Sequence, residues 1–318
     1  EVITSSITFV ASSNCVIFCG ATPIFADIDP KTYNITPLEI EKKITEQTKL
    51  VIAVHFAGQS CDMEGIASVV ATAEGKYGTK INIIEDGSHA LGSYYKRSKV
   101  GSCKYSQISM TSFHPVKHIT TGEGGIAFTN DEGLYNHMIR SHSHGITVDR
   151  KIMKEDLGPW YYEQIQLGYN YRITDLQCAL GLSQLKKLDL FKKKRRDIVN
   201  RYNQAFRDLP YLTVPYESET CNSNFHLYVI LFDFKKMGIT RNEFKEHLEL
   251  QMVSSQIHYI PVHLQPYYQE NYGTSLGDLP HAENYFQQCL SIPLFPSMTE
   301  DDVVTVIQVI TDACQGKQ

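Results

Sequence analysis

The sequence predicts an α/β protein whose central sheet is mostly parallel. Through the first half of the chain, short and nearly continuous apolar runs alternate with segments of helical periodicity. Such runs are typical of strands covered on both faces, and the helices between them form the crossovers of a parallel sheet. A length of 318 residues accommodates two domains. We predict a large domain over residues 1–195 and a smaller C-terminal α/β domain over residues 196–318.

The predicted elements follow in order along the chain. Strands are predicted at residues 50–54, 81–84, 107–110, 125–128, 226–234 and 255–259. Helices are predicted at residues 64–77, 174–209, 241–252 and 299–314. The helix over residues 174–209 links the two domains. The last helix has Thr299 as its N-cap, with Asp301 and Asp302 in the first turn, where the helix dipole favours carboxylates.

Composition narrows the possible functions. A net charge of −5 gives no support to a general nucleic-acid role. The basic run from Lys192 to Arg196 is therefore predicted to be a solvated helix face. No apolar run approaches the roughly 20 residues needed to span a bilayer, and no signal peptide is present, so we expect a cytoplasmic protein. The eight scattered cysteines predict reduced, mostly buried thiols and no metal site.

Two polar positions suggest cofactor chemistry. Asp86 directly follows the predicted strand at residues 81–84, and ligands of open α/β sheets bind beyond the carboxyl ends of strands. Lys117 lies five residues after Ser112 and just before a glycine-rich segment. Taken singly, Asp86 is equally explained as a turn residue and Lys117 as a surface lysine. Together they are the acid and the amine that pyridoxal phosphate (PLP) chemistry requires.

Motifs along essentially the whole chain resemble the DegT/DnrJ/EryC1/StrS family of nucleotide-sugar aminotransferases, and they occur in the family's order. The segments that carry the resemblance are residues 8–11 (TFVA), 20–23 (GATP), 26–29 (ADID), 55–59 (HFAGQ), 85–92 (EDGSHALG), 112–125 (SFHPVKHITTGEGG), 167–172 (LGYNYR), 175–177 (DLQ), 259–268 (YIPVHLQPYY) and 292–296 (IPLFP). The resemblance implies a fold-type-I PLP-dependent transferase that works as a homodimer with shared active sites.

The resemblance also implies roles for individual residues. Lys117 is expected to form the Schiff base with PLP, and Asp86 to face the pyridine nitrogen. The other expected cofactor contacts are His89 beside the ring, Ser112 at the phosphate, Phe9 stacked on the ring and Asn170 at the phosphate of the neighbouring subunit's cofactor. Arg172, Tyr259 and His263 are weaker candidates for the substrate pocket. Three of these residues also have a purely structural explanation: His89 as a core histidine, Phe9 as a packing residue and Arg172 as a member of a structural ion pair.

The start of the sequence departs from the family pattern. The chain opens within an apolar strand pattern, and the family's Gly-Thr-x-Ala segment, which contacts the cofactor phosphate, is expected before Glu1.

The expected reaction moves an amino group from L-glutamate to a nucleotide-linked keto sugar. Within the family, the run Pro159 to Tyr162 and the block His258 to Tyr268 most resemble transaminases that act on a UDP-4-keto-6-deoxy-N-acetylhexosamine, and the resemblance implies this substrate. A UDP-4-keto-pentose or a dTDP-hexose is the close alternative. A PLP-dependent sugar dehydratase, in which His replaces the Schiff-base lysine, is disfavoured by Lys117. A catalytically inactive binding protein of the same fold is the remaining alternative.

Overall fold

The computed structural model describes residues 1–316. Its strands are β1 (Val2–Ser5), β2 (Pro23–Ala26), β3 (Leu50–Val54), β4 (Asn82–Asp86), β5 (Tyr94–Tyr95), β6 (Ser98–Lys99), β7 (Ile108–Ser112), β8 (Gly125–Phe128), β9 (Ile146–Thr147), β10 (Glu163–Gln164), β11 (Leu212–Thr213), β12 (Cys221–Asn222), β13 (Tyr228–Phe232) and β14 (Cys289–Ile292). Its helices are α1 (Ala11–Phe18), α2 (Pro37–Lys43), α3 (Met63–Tyr77), α4 (Glu132–Ser141), α5 (Asp175–Leu185), α6 (Leu188–Phe206), α7 (Phe234–Met237), α8 (Arg241–Leu250), α9 (Pro266–Tyr272), α10 (Pro280–Gln288) and α11 (Glu300–Cys314). Single 3₁₀ turns lie at Phe56–Gly58 and Val262–Leu264.

The main sheet has six strands in the order β2-β1-β3-β4-β7-β8. All neighbouring pairs are parallel except β7 and β8, which are antiparallel. This arrangement confirms the predicted α/β class. The register sets Val54 of β3 and Met110 of β7 on either side of Asp86. The carboxyl ends of β3, β4 and β7 therefore meet at one edge, as expected for a ligand site.

Most predicted elements of the large sheet are confirmed. The strands at residues 50–54 and 125–128 have the predicted bounds, and β4 and β7 start one residue later than predicted. Helix α3 begins at Met63 because the side chain of Asp62 caps it by accepting from the Gly65 amide. The predicted N-cap of the last helix is also confirmed, and Thr299 forms a capping box with Asp302.

Three predicted elements were wrong in extent or kind. The helix over residues 174–209 is interrupted at Lys186 and gives α5 and α6; α5 buries no side chain, whereas α6 packs into the C-terminal core. The strand at residues 226–234 ends at Phe232, because Asp233 caps the short helix α7. No strand forms at residues 255–259, where only Gln256 pairs with Ser291 before the chain turns towards the active site.

Two hydrophobic cores support the two ends of the molecule. One packs α2 and α3 against the main sheet, and the other packs α6, α8 and α11 against β13 and β14. A third cluster joins them, because Ile7 and Phe56 pack with Val229 and Tyr285. The predicted domain boundary after residue 195 falls inside α6, whose side chains from Ile198 onward belong to the C-terminal core.

The basic run on α6 was wrongly predicted to be solvated throughout. Lys193 and Lys194 are exposed, but Arg195 is only 5% exposed. Its Nη1 donates to three backbone carbonyl oxygens that the fold brings together from Phe225 (3.2 Å), His226 (3.2 Å) and Leu294 (2.7 Å). Burial lowers the pKa of Arg195 to about 10. The local sequence does not distinguish this arginine from its solvated neighbours.

The cysteines are free thiols, as predicted, but they are less buried than predicted. Four are buried, two are partly buried, and Cys15 and Cys19 are exposed at the end of α1. Over residues 1–316, no helix is both long and apolar enough to cross a membrane.

Candidate active site

The acid of the site is Asp86, the last residue of β4. Its side chain is buried, and both carboxylate oxygens accept hydrogen bonds, from Ser12 Oγ to Oδ2 (2.7 Å) and from the Ser88 amide to Oδ1 (3.0 Å). The Ser12 hydroxyl also lies 2.9 Å from that of Thr8. The carboxylate is therefore held in one orientation. The role of Ser12 was missed in the sequence because nothing local connects α1 to a strand end 74 residues away.

The amine of the site is Lys117, in the loop that follows β7. Its backbone amide donates to the His114 carbonyl at 2.9 Å, which fixes a turn at this point of the loop. Burial lowers the pKa of Lys117, and the Asp86 carboxylate acts in the opposite direction without cancelling the effect. The neutral amine is the form that attacks a carbonyl, so the surroundings favour the reactive form.

His89 lies between the two strand ends and the C-terminal part of the chain. It is buried; its Nδ1 accepts from the Ala57 amide (3.3 Å), and its Nε2 lies 3.2 Å from the Tyr259 hydroxyl. Burial, together with the positive charge of Lys117, lowers the pKa of His89 well below its usual value. The imidazole is therefore neutral at physiological pH.

Two further histidines pack behind His89, and sequence reasoning missed both. The rings of His89 and His226 are 4.4 Å apart, and those of His226 and His118 are 4.9 Å apart. Burial lowers the pKa of both His118 and His226 well below the usual value. Within residues 1–316, His118 Nε2 and His226 Nδ1 have no hydrogen-bond partner. The Lys-His pair at positions 117 and 118 was the only sequence signal for this cluster.

Aromatic rings border the site on its open side. Phe9 is 61% exposed and lies 6.4 Å from the Tyr259 ring. Burial, aided by the Asp86 charge, raises the pKa of Tyr259, so its hydroxyl stays protonated. Burial and the charge of Lys117 lower the pKa of the neighbouring His258 to about 4. The exposed face of Phe9 is thus available to a ligand.

Three predicted site residues are exposed or partly exposed. Ser112 ends β7 beside the loop of Lys117, and its Oγ accepts from the His114 amide at 3.2 Å. Asn170 pairs through its backbone with Ser143, and Arg172 donates to the Ser143 hydroxyl at 3.1 Å. Among the described residues, no hydrogen bond or ion pair joins Asn170 or Arg172 to Lys117 or Asp86. One chain by itself therefore assembles only part of the predicted site.

His263 occupies an enclosed position. It is completely buried; its Nδ1 lies 2.6 Å from the Ser6 hydroxyl and its Nε2 lies 3.0 Å from Glu283 Oε1. Both ring nitrogens are therefore already engaged by the protein. This environment is typical of a histidine that stabilises the fold.

The comparison with known families agrees with this geometry. The model of the DegT/DnrJ/EryC1/StrS aminotransferase family matches residues 1–311. The chain belongs to this family. It is therefore a PLP-dependent sugar aminotransferase, and the predicted fold type, enzyme class and cofactor are confirmed.

Individual relatives cover nearly the whole chain. The spore coat polysaccharide biosynthesis protein SpsC of Bacillus subtilis is 42% identical over 317 residues, which are 99% of this chain and 79% of that protein. PseC of Helicobacter pylori, an aminotransferase involved in the biosynthesis of pseudoaminic acid, is 33% identical with a TM-score of 0.89 over 99% of this chain and 80% of its own. The sugar aminotransferase Spr1654 of Streptococcus pneumoniae, in its pyridoxamine-phosphate form, is 30% identical with a TM-score of 0.90, covering 100% of this chain and 82% of its own.

The residues of this chain fit the cofactor. PLP needs an amine that is easily deprotonated, a carboxylate fixed in position and a flat wall for its ring. Lys117 is desolvated, Asp86 is buried and doubly hydrogen-bonded, and Phe9 presents an open aromatic face. These three features come from different strand ends and loops, yet they meet at one edge of the sheet.

Proposed function

We propose that this enzyme transfers an amino group from L-glutamate to the 4-keto group of a UDP-4-keto-6-deoxy-N-acetylhexosamine. The observation that carries the proposal is a desolvated Lys117 beside a fixed Asp86 in a sugar aminotransferase fold. The choice of sugar is supported by the likeness to the Helicobacter pylori protein of pseudoaminic acid biosynthesis. It is also supported by the aromatic run from Pro159 to Tyr162 and by the block from His258 to Tyr268.

The proposed chemistry assigns one task to each residue around the cofactor. When bound, PLP supplies an electron sink for charge that develops beside the reacting carbon. Lys117 Nζ would hold the cofactor in the resting enzyme and would move the proton to and from the donor carbon. Asp86, fixed by Ser12 and Ser88, would pair with the pyridine nitrogen and keep it protonated.

The remaining proposed contacts orient the cofactor and the substrate. His89 and Phe9 would hold the cofactor ring, while Ser112 would bind the phosphate. Tyr259 and Arg172 belong to the substrate pocket, where the fork of Arg172 suits a carboxylate or a diphosphate. We propose a supporting role for His263, because Ser6 and Glu283 already engage its ring.

We further propose that the enzyme is a homodimer with shared sites. Helix α5 buries no side chain in the single chain. Its apolar side chains are exposed instead, as Leu176 (86% exposed) and Leu182 (63% exposed) show. Leu167 and Tyr171 extend this apolar surface on the neighbouring segment. Contiguous exposed apolar surface of this kind is typical of a protein interface. Asn170, on the same segment, is proposed to reach the cofactor phosphate of the partner subunit.

Hybrid dimers test the shared site. A Lys117→Ala chain and an Asn170→Asp chain are each expected to be inactive, the second because a carboxylate repels the phosphate. Co-expression of the two should restore activity, since one site of the hybrid combines the intact Lys117 of one chain with the intact Asn170 of the other. A hybrid as inactive as either parent would contradict the shared arrangement.

The substrate proposal is tested by a panel of keto sugars. Purified enzyme with L-glutamate is offered the UDP-4-keto-6-deoxy-N-acetylhexosamine, a UDP-4-keto-pentose and a dTDP-4-keto-hexose, and the amino sugars are measured. We expect the first to give the highest kcat/KM, with Lys117→Ala as the inactive control. Preference for another sugar would reassign the substrate. PLP-loaded enzyme that aminates no member of the panel would favour the inactive binding protein.

A further inference from the structure

A row of three hydrogen-bonding groups runs from the backbone into the active site. The Ala57 amide can only donate, so His89 Nδ1 must accept at 3.3 Å. In a neutral imidazole the proton is then on Nε2. Because Nε2 lies 3.2 Å from the Tyr259 hydroxyl, it donates its proton to the tyrosine oxygen. The hydroxyl hydrogen of Tyr259 is left free to point elsewhere.

The direction of this row is fixed by the fold. Ala57 has left-handed backbone angles (φ 56°, ψ 9°), which are unfavourable for a residue with a Cβ. Its carbonyl accepts from the His226 amide at 2.9 Å, so Ala57 is hydrogen-bonded through both its amide and its carbonyl. The next residue, Gly58, has φ 99°, and a Cβ there would lie 1.9 Å from Asn224 Oδ1. The two hydrogen bonds of Ala57 and the close packing at Gly58 therefore favour the observed orientation of the Ala57 amide towards His89.

Burial and nearby charges keep both side chains in the required protonation state. Burial, followed by the charge of Lys117, lowers the pKa of His89 and so disfavours a second proton on its Nδ1. Burial and the Asp86 carboxylate disfavour ionisation of Tyr259. His89 thus donates a hydrogen bond only through Nε2, to the Tyr259 oxygen. The Tyr259 hydroxyl keeps its own hydrogen and can donate it to a bound ligand.

We propose that Tyr259 donates its hydroxyl hydrogen bond to the keto oxygen of the sugar, with the direction of donation set by Ala57 and His89. This inference rests on the proposed function, because it needs a keto sugar as the second substrate. A hydrogen bond at that oxygen withdraws electron density from the carbonyl carbon and orients it for attack by an amine. Tyr259 is placed for this contact by its neighbours Phe9 and His89.

The experiment separates the two halves of the reaction. Enzyme in the aldehyde form is mixed with L-glutamate, and enzyme in the amine form is mixed with the keto sugar, each in a single turnover followed by cofactor absorbance. For Tyr259→Phe we expect the keto-sugar half to slow by about 10²-fold, while the glutamate half changes by less than about 3-fold. Equal slowing of both halves, slowing of the glutamate half alone or no slowing would overturn the proposal.

Variants of His89 test the direction of the row. His89→Gln retains a side-chain donor of similar reach, so we expect it to keep the ratio of the two half-reaction rates within about 5-fold of wild type. His89→Leu removes the donor and should lower the keto-sugar half relative to the glutamate half by about 10-fold or more. Identical ratios in the two variants would overturn the role of His89.

A matched control removes a phenolic hydroxyl elsewhere. Tyr228 is buried in the C-terminal core, where its hydroxyl donates to Asn203 Oδ1 at 2.7 Å. Tyr228→Phe should leave the ratio of the two half-reactions at the wild-type value. Wild-type enzyme that aminates no keto sugar would overturn the proposed function and this inference together. Wild-type enzyme that is active, with Tyr259→Phe equally active, would overturn this inference alone.

Discussion

The two halves of the site differ in how much of them a single chain completes. Asp86, His89 and the histidines behind them are buried, and their side chains are oriented by contacts within the chain. Asn170 and Arg172 lie on an exposed segment next to α5, which buries no side chain. The buried half is therefore set by folding, whereas we propose that the exposed half is completed by a partner subunit. We therefore expect substitutions in the two halves to impair the enzyme in different ways.

The largest effect is expected at the centre of the buried half. Lys117→Ala removes the amine that we propose holds the cofactor and moves the proton, so kcat should fall by about 10⁴-fold. The measurement is steady-state transamination together with the visible absorbance of the bound cofactor, which should lose the contribution of the lysine-bound form. Lys193→Ala, an exposed lysine on α6, is the control and should match wild type. Substantial activity in Lys117→Ala would remove this lysine from the mechanism.

The next effect concerns the exposed half. The double substitution Leu176→Asp and Leu182→Asp replaces two exposed leucines of α5 by charged residues, so the proposed dimer should dissociate and activity should fall by about 10²-fold or more. Sedimentation gives the mass, and circular dichroism should show a folded chain. Leu250→Asp is the control, since Leu250 is 83% exposed on α8, away from this surface. A double variant that stays dimeric would place the interface elsewhere.

A smaller effect is expected where α6 supports the buried half. Arg195→Met leaves three buried carbonyl oxygens without their donor, including that of His226. We expect the free energy of unfolding in urea to fall by about 1–3 kcal/mol, the cost of leaving buried acceptors unsatisfied. Lys194→Met, next to it and exposed, should change the same quantity by less than about 0.5 kcal/mol. Equal effects of the two substitutions would show that the guanidinium contributes no more than a solvated lysine.

The smallest effect expected from any one residue is a dependence of the free energy of unfolding on pH. His89, His118 and His226 have lowered pKa values in the folded chain and ordinary ones when unfolded. Between these values the unfolded state binds more protons, so the stability present above about pH 6.5 is lost as the pH falls. Each histidine should contribute a slope of about 1.4 kcal/mol per pH unit. Urea unfolding between pH 7 and pH 5 measures the slope.

A substitution within the cluster gives the control for this slope. His226→Gln should reduce the number of protons taken up on unfolding by about one. Replacement of the exposed His137 by Gln should leave the slope unchanged. A slope that is the same in all three proteins would mean that the histidine cluster is not responsible for acid instability.

Local patterns were sufficient to predict four of the six strands of the main sheet, β3, β4, β7 and β8. The strand at residues 50–54 was predicted with its observed bounds because its apolar run is continuous and short. The helix ending at Cys314 was predicted from the capping residue Thr299. The break at Lys186 was missed because the apolar pattern continues through it, and only the different surroundings of α5 and α6 separate the two helices.

The sequence by itself determined the α/β class and the family, because these depend on short motifs. It also predicted that Asp86 and Lys117 lie at the same edge of the sheet, because the carboxyl ends of neighbouring parallel strands align there. The tertiary structure decided which side chains orient that pair. Ser12 reaches Asp86 from α1, and Ala57 sets the tautomer of His89. It also decided that Arg195 is buried while Lys194 is not. These contacts join residues distant in sequence, and burial is a property of the packed chain that no local pattern encodes.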